Sequence, residues 1–344
     1  MSLKILVATE DLTFSVSLSH AYKALGHEVS AGLPELYLGL RDFDLIHFHW
    51  PEELTGWAMP PSPRAVRRVL DRMDSLKPQT KMVCTVHNLL PHADRSGESE
   101  ALYAAFYARM DVIGHFSESS RTAVLSRFPA IPVDKHIIHG MQDFGNLRAY
   151  GIGKAAVRAR LGVPADAIVV AAIGQLRSLG ELGLLSDAIA KPGLPPVHLL
   201  RAFRPPNVSS IADRARRKYL MRSFDRLPST VLDGYLDDAE LVAVCEAADI
   251  LIIPRMENQL NSGVLPLAMT FGTGIVAPDC GVFRETLAGS MNELYAAGDP
   301  GAMAKAIARL AAKDADAVRT SNLALAADWG WPRGVSRILS ALSK

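Results

Sequence analysis

The stretch from Ile250 to Glu285, ILIIPRMENQLNSGVLPLAMTFGTGIVAPDCGVFRE, constrains the fold more than any other part of the chain. Ile250 to Ile253 read as a buried strand that Pro254 ends, because proline has no N–H to give to a sheet ladder. After a polar loop, Asn261-Ser262-Gly263 opens an apolar helix from Val264 to Phe271, which Gly272 and Gly274 close. A second apolar strand, Ile275 to Ala277, leaves it, and another turn runs to Glu285. Small residues at such a helix start leave backbone N–H groups free, and together with the helix dipole these hold phosphate. An ordinary crossover whose helix is capped by Ser262 is the competing interpretation.

The rest of the chain supplies the context. At 344 residues it is longer than one core usually holds, so two domains are expected. Hydrophobic residues make up 49%, and the mean hydropathy is +0.12, values of a globular chain. No apolar run approaches the roughly 20 residues of a membrane span. MSLKILVATED reads as a strand followed by acids, unlike a signal peptide, so a cytoplasmic protein is expected. Cys84, Cys245 and Cys280 are far apart and odd in number, which suits packed thiols in a reducing compartment. A net charge of +1 gives no nucleic-acid signature.

Apolar strands are expected at 4–8, 29–33, 44–48, 82–86, 112–116 and 135–138, alternating with helices of about 10 to 15 residues. Residues 141–155 are Gly-rich and weakly periodic, as a linker would be. The alternation then restarts, with strands at 168–173, 197–202, 230–233, 250–253 and 275–277. This predicts an α/β protein of two Rossmann-like domains, 1–145 and 146–322, followed by a C-terminal segment, 323–344. Ligands of such sheets sit at the carboxyl ends of the strands, at the switch point.

Polar residues gather at those ends. In the first half they are His47, His49, Trp50 and Glu52, then His87, Asn88 and His92, then Ser117 and Glu118. His87 lies where an apolar run stops, and histidine suits a sugar hydroxyl or a proton exchanged near neutral pH. His47 reads more simply as a half-buried strand residue. A zinc site built from His47, His49, His87 and His92 lacks helical spacing and any supporting Cys or carboxylate cluster. In the second half, Gly174 to Arg177 ends one strand with a glycine and a cation, and Arg201 and Arg204 end another. An arginine fork suits the paired oxygens of a diphosphate. There is no P-loop, no G-x-G-x-x-G after the first strand and no G-x-S-x-G elbow.

In order and spacing these segments resemble the group 1, retaining GT-B glycosyltransferases, specifically bacterial enzymes of exopolysaccharide and glycolipid synthesis. DLIHFHWPE at 44–52, TVHNLLPH at 85–92 and HFSESS at 115–120 resemble acceptor-domain segments. RARLGVP at 158–164, IGQLR at 173–177, DGYLDDAEL at 233–241, AADILIIPR at 247–255, NSGVLPLAMTFGTGIVAP at 261–278 and GVFRE at 281–285 resemble donor-domain segments. The resemblance covers nearly the whole chain. It implies an acceptor-binding first domain, a nucleotide-sugar-binding second domain and a terminal helix crossing back to the first.

On that analogy Ser262 and Gly263, with Asn261, Gly174, Glu257 and Glu285, form the donor site. Arg177 and Arg204 neutralise the diphosphate, and His87 touches the transferred sugar. No metal or other cofactor is expected, because cations and a helix dipole stabilise the leaving group. The chain also departs from the pattern. The paired glutamates flanking the phosphate loop are replaced by Gln259 and Leu267, with Glu257 nearby. The lysine expected at position 180 is Gly180, and Glu10 and Asp11 stand where the first glycine-rich loop has glycines. An inverting enzyme would need a base, for which Glu10, Asp11, Glu52 and Glu118 are available. A degenerate protein that binds a sugar nucleotide without turnover and an NAD-dependent dehydrogenase are the alternatives.

From Pro63 a helix sets Val66, Val69, Leu70 and Met73 on one face and Arg64, Arg67, Arg68 and Arg72 on the other. A solvated basic helix is the simpler reading. A peripheral contact with an anionic inner leaflet bearing a lipid-linked acceptor is the functional one. Nucleic acid is not an expected partner, since no stacking aromatics interleave with the basic runs.

Overall fold

The computed structural model describes residues 2–39, 42–58, 60–91, 99–142, 144–257 and 259–343. His92 lies outside them. The chain divides into two compact units, Met1–Gln142 with Trp329–Lys344, and Asp143–Asp328.

In the first unit, β1 (Lys4–Ala8), α1 (Leu12–Ala24), β2 (Glu28–Ala31), α2 (Leu33–Leu38), β3 (Leu45–Phe48), α3 (Pro63–Leu76), β4 (Lys81–Thr85), α4 (Glu100–Arg109), β5 (Val112–His115), α5 (Glu118–Arg127) and β6 (His136–Ile138) follow one another. The six strands form one sheet in the order β2-β1-β3-β4-β5-β6, with every neighbouring pair parallel. Helix α2 takes up Leu33, where the second strand was expected to end. Gly32, at φ 110°, precedes it, and Pro34 preorganises its first turn.

In the second unit, α6 (Lys154–Leu161), β7 (Ile168–Gln175), α7 (Leu179–Ile189), β8 (Val197–Arg204), α8 (Ile211–Phe224), β9 (Ser229–Val231), α9 (Asp238–Ala247), β10 (Ile250–Ile252), α10 (Val264–Phe271), β11 (Gly274–Pro278), α11 (Gly281–Leu287), β12 (Glu293–Tyr295), α12 (Pro300–Ala311) and α13 (Ala315–Trp329) follow. Their sheet, also parallel throughout, has the order β12-β11-β10-β7-β8-β9. Its core brings Leu182 and Leu185 of α7, Phe224 of α8 and Ile307 of α12 onto the strands. The turn expected to run to Glu285 is instead helix α11, so Glu285 sits on an exposed helical face.

Helix α14 (Trp331–Leu342) begins with Pro332 in its first turn and belongs to the first unit. It packs against α1, β5 and β6, with Trp331, Val335 and Ile338 fully buried. A Cβ added at Gly334 would lie 2.9 Å from the His139 carbonyl oxygen, so glycine allows this close approach.

In each sheet the strand order reverses once. The first unit has its switch point between β1 and β3, and the second between β7 and β10.

Candidate functional site

At the switch point of the second unit, Gly174, the next-to-last residue of β7, has a left-handed φ of 86°. The turn it makes carries the chain through Leu176, pinned to the Arg204 carbonyl at 3.0 Å, to Arg177 and then to α7. The Ser178 hydroxyl caps α7 by accepting the Glu181 N–H at 3.2 Å. The Glu181 carboxylate reaches back to accept the Arg177 N–H at 2.7 Å. On the neighbouring strand, β10 leads through Pro254 to Arg255, whose Nη1 donates to the same Glu181 oxygen at 2.7 Å and to the Gln175 carbonyl at 3.3 Å. The Arg177 Nη1 donates to the side-chain oxygen of Gln259, tying the β7 end to the loop before α10. Burial first, then the Arg255 guanidinium, holds Arg177 below the ordinary arginine value, while Glu181 and Glu257 oppose them.

Helix α10 starts after Gly263 with no side-chain cap. The Ser262 cap considered from sequence is therefore not made, and the first-turn N–H groups are left to other acceptors. A Cβ at Gly263 would meet nothing within 4 Å, so the space in front of this terminus is open. Ser262 and Asn261 are half-buried and Glu257 is exposed. Arg204 ends β8 with its guanidinium 5.5 Å from the centre of the exposed Tyr235 ring. Arg201 is instead paired with Asp225 at 2.9 Å. The structure thus brings Arg177, Glu257 and the 261–263 segment to adjacent strand ends, with Arg204 one strand further along. A cavity of about 630 Å³ lies at the opposite, amino-terminal ends of β7, β10 and β11, between Lys154, Asp249 and Arg319. Its lining mixes both signs of charge, and it too includes a helix start without a side-chain cap, at Gly153 before α6.

In the first unit, histidines form a buried chain. His47 accepts or donates between the Tyr22 hydroxyl, at 3.0 Å, and the Thr85 hydroxyl, at 2.8 Å, and Thr85 continues to His139 at 3.1 Å. His47 is fully buried, deeper than the half-buried position expected. His87 Nε2 is 2.9 Å from His49 Nδ1. The His87 ring stacks on Trp50 at 4.1 Å and meets the edge of Phe14 at 4.6 Å. Burial is the main cause that keeps His47, His49 and His87 well below the usual histidine range, with neighbouring histidines adding to it. These rings are neutral at pH 7. Among the described residues no group of three or more His, Cys, Asp or Glu could hold a metal ion.

The carboxylates considered as bases are engaged in the local architecture. Glu52 is buried and accepts the Tyr103 hydroxyl at 2.5 Å, with burial raising its pKa. Glu118 opens α5 and pairs with Arg121 at 2.9 Å. The Glu10 carboxylate accepts the Leu33 N–H at 2.8 Å, and Asp11 caps α1 through the Phe14 N–H at 3.0 Å. Sequence reasoning passed over Glu53, which turns toward the end of β1. One oxygen accepts the Glu10 N–H at 2.7 Å, and the other is buried without a hydrogen-bond partner. Burial pushes its carboxyl up.

Helix α3 spans Pro63–Leu76 as expected, but its arginines divide. Arg72 Nε donates to the Leu36 carbonyl at 2.7 Å, and Arg68 lies over the Tyr37 ring at 5.5 Å, so both turn toward α2. Arg64 and Arg67 remain exposed, and Arg67 borders a groove with Pro63, Val66 and Leu70.

Residues 208–313 match the family model for glycosyl transferases group 1. Across 99% of both chains the fold matches Anabaena Alr3699/HepE in complex with UDP and glucose, at 16% identity and a TM-score of 0.69. The chain has the GT-B fold, and its residues 208–313 are similar to the group 1 glycosyltransferase domain. The sucrose-phosphate synthase of Thermosynechococcus elongatus matches with a TM-score of 0.70 at 16% identity, over 98% of this chain and 97% of that one. A phosphatidyl-myo-inositol mannosyltransferase of Mycobacterium leprae is 37% identical over 82 residues. That match spans 24% of this chain and 22% of the mannosyltransferase. Within this GT-B chain, the group 1 segment includes Glu257, the 261–263 helix start and Glu285, whereas Gly174, Arg177 and Arg204 precede it.

Proposed function

We propose that this GT-B protein transfers a hexose-type sugar from a UDP- or GDP-linked donor to a saccharide or lipid-linked acceptor in polysaccharide or glycolipid synthesis. The observation that carries the reading is the pairing of Arg177 with an uncapped helix terminus at adjacent strand ends of the second unit. Charge develops on a leaving diphosphate, and preorganised cations and N–H groups lower that barrier without moving during the reaction. The UDP in the HepE complex supports the same reading. His87, neutral and held by His49 and Trp50, would hydrogen-bond a hydroxyl of the transferred sugar.

A cytoplasmic location and a peripheral contact with anionic lipid belong to the proposal. Among the described residues no helix is long and apolar enough to cross a membrane. The exposed Arg64 and Arg67 beside the Val66–Leu70 groove support the lipid contact.

Thermal-shift titration with UDP, GDP and NAD tests the donor class. Stabilisation by UDP or GDP is expected, and stabilisation by NAD alone overturns the reading. Gln259, bonded to Arg177 in place of a carboxylate, favours a second reading as a binding protein without turnover. Donor hydrolysis that is lost in His87→Ala would decide for the enzyme.

A further inference from the structure

We propose that Arg255 is a second diphosphate ligand of this domain, held in place by Glu181, and that it supplies the cation which Gly180 does not. This rests on the donor site proposed above and adds a residue to it. Arg255 follows β10 directly, beside the strand end that carries Arg177. Its side chain is only 13% exposed, and Glu181, its partner at 2.7 Å, is 6% exposed. Among the described residues only its Nη1 makes hydrogen bonds, to Glu181 and Gln175, and neither its Nε nor its Nη2 is buried without a partner. Two N–H-bearing atoms of a fixed guanidinium are therefore open to an acceptor.

The electrostatics point the same way. Arg177 and Arg255 are close enough for one charge to depress the other's proton affinity. Among the described residues Glu181 is the carboxylate ion-paired with Arg255. Glu181 and the exposed Glu257 both act on Arg177, and what suits a diphosphate here is the neighbouring pair of guanidinium forks, each able to match two oxygens. Gly180 brings no cation from α7, and Met256 lies beside it. A Cβ at Gly180 would lie 2.5 Å from the Met256 sulfur, so the residue after Arg255 fills the space a side chain at 180 would take.

The test is calorimetric titration of the full chain with UDP and GDP, using UMP and GMP as one-phosphate controls, on wild type, Arg255→Gln and Arg255→Lys. Thermal denaturation of each variant monitors folding. For whichever diphosphate the wild type binds, Arg255→Gln is expected to weaken it by about 10- to 100-fold. The corresponding monophosphate should weaken by less than about 3-fold, and lysine should restore part of the loss. Equal losses for diphosphate and monophosphate, or no loss, overturn the role of Arg255 and leave the donor site standing. If the wild type binds neither UDP nor GDP, the donor-site reading falls and this assignment falls with it.

Discussion

Arg177 follows closely on Gly174, whose left-handed backbone L side chains rarely adopt. A Cβ there would meet no atom within 4 Å, so the cost of Gly174→Ala is conformational alone. We expect a destabilisation of about 1–2 kcal/mol, read by denaturant unfolding, with donor affinity falling as the Arg177 turn shifts. A variant as stable as wild type would show that this turn is not under the constraint its φ implies. Gly174 and Arg177 were legible from sequence because a glycine and a cation directly follow a buried apolar run. Glu53 and Arg255 were not. Choosing Glu53 over its neighbour Glu52 requires knowing how the short 3-10 helix Glu53–Thr55 turns after β3. Arg255 looked like any loop residue after a proline, and its significance depends on Glu181, which is distant in sequence but shares its switch point.

Among the elements of the described residues, apolar periodicity located eleven of the twelve strands, the basic helix from Pro63 and the helix from Val264 to Phe271. It missed β12, a three-residue strand too short to show a period, and α2, α11 and α13, whose formation depends on packing rather than on local pattern. Helix α14 shows how strongly one side chain can anchor an element. Trp331 is fully buried against His139 and Phe116, and its indole N–H has no partner among the described residues. Trp331→Ala should cost about 3–5 kcal/mol in unfolding free energy. Trp331→Phe should cost far less, since it keeps most of the volume and removes a stranded donor. Equal losses in the two variants would contradict this packing.

The first unit as a body carries the histidine chain, and its stability should follow those rings. Burial holds His136 down to about 4 and His139 down to about 3, and His47, His49, His87 and His115 well below their ordinary value. Below a pH of about 6.5 the unfolded chain binds protons that the folded unit refuses. Stability is therefore complete above that pH and falls as the solution is acidified toward the folded-state values. The window from about pH 6.5 to 5 is diagnostic, because most carboxylates titrate lower. A melting temperature that stays flat across it would contradict buried neutral histidines.

The second unit carries the central claim, that a nucleoside diphosphate binds at the β7–β10 switch point. The chain's two α/β halves were legible from alternation, and the helix start at 261–263 from the small residues before an apolar run. The departures at Gln259 and Gly180 were legible too, whereas the place of Arg255 beside Arg177 was not, because it enters from a neighbouring strand. Amide hydrogen exchange of the full chain with saturating UDP or GDP tests the location most directly. Protection should appear at 174–181 and at 253–257 and 259–265. Protection instead around 153–158, 246–250 and 313–319, at the opposite ends of the strands, would contradict it.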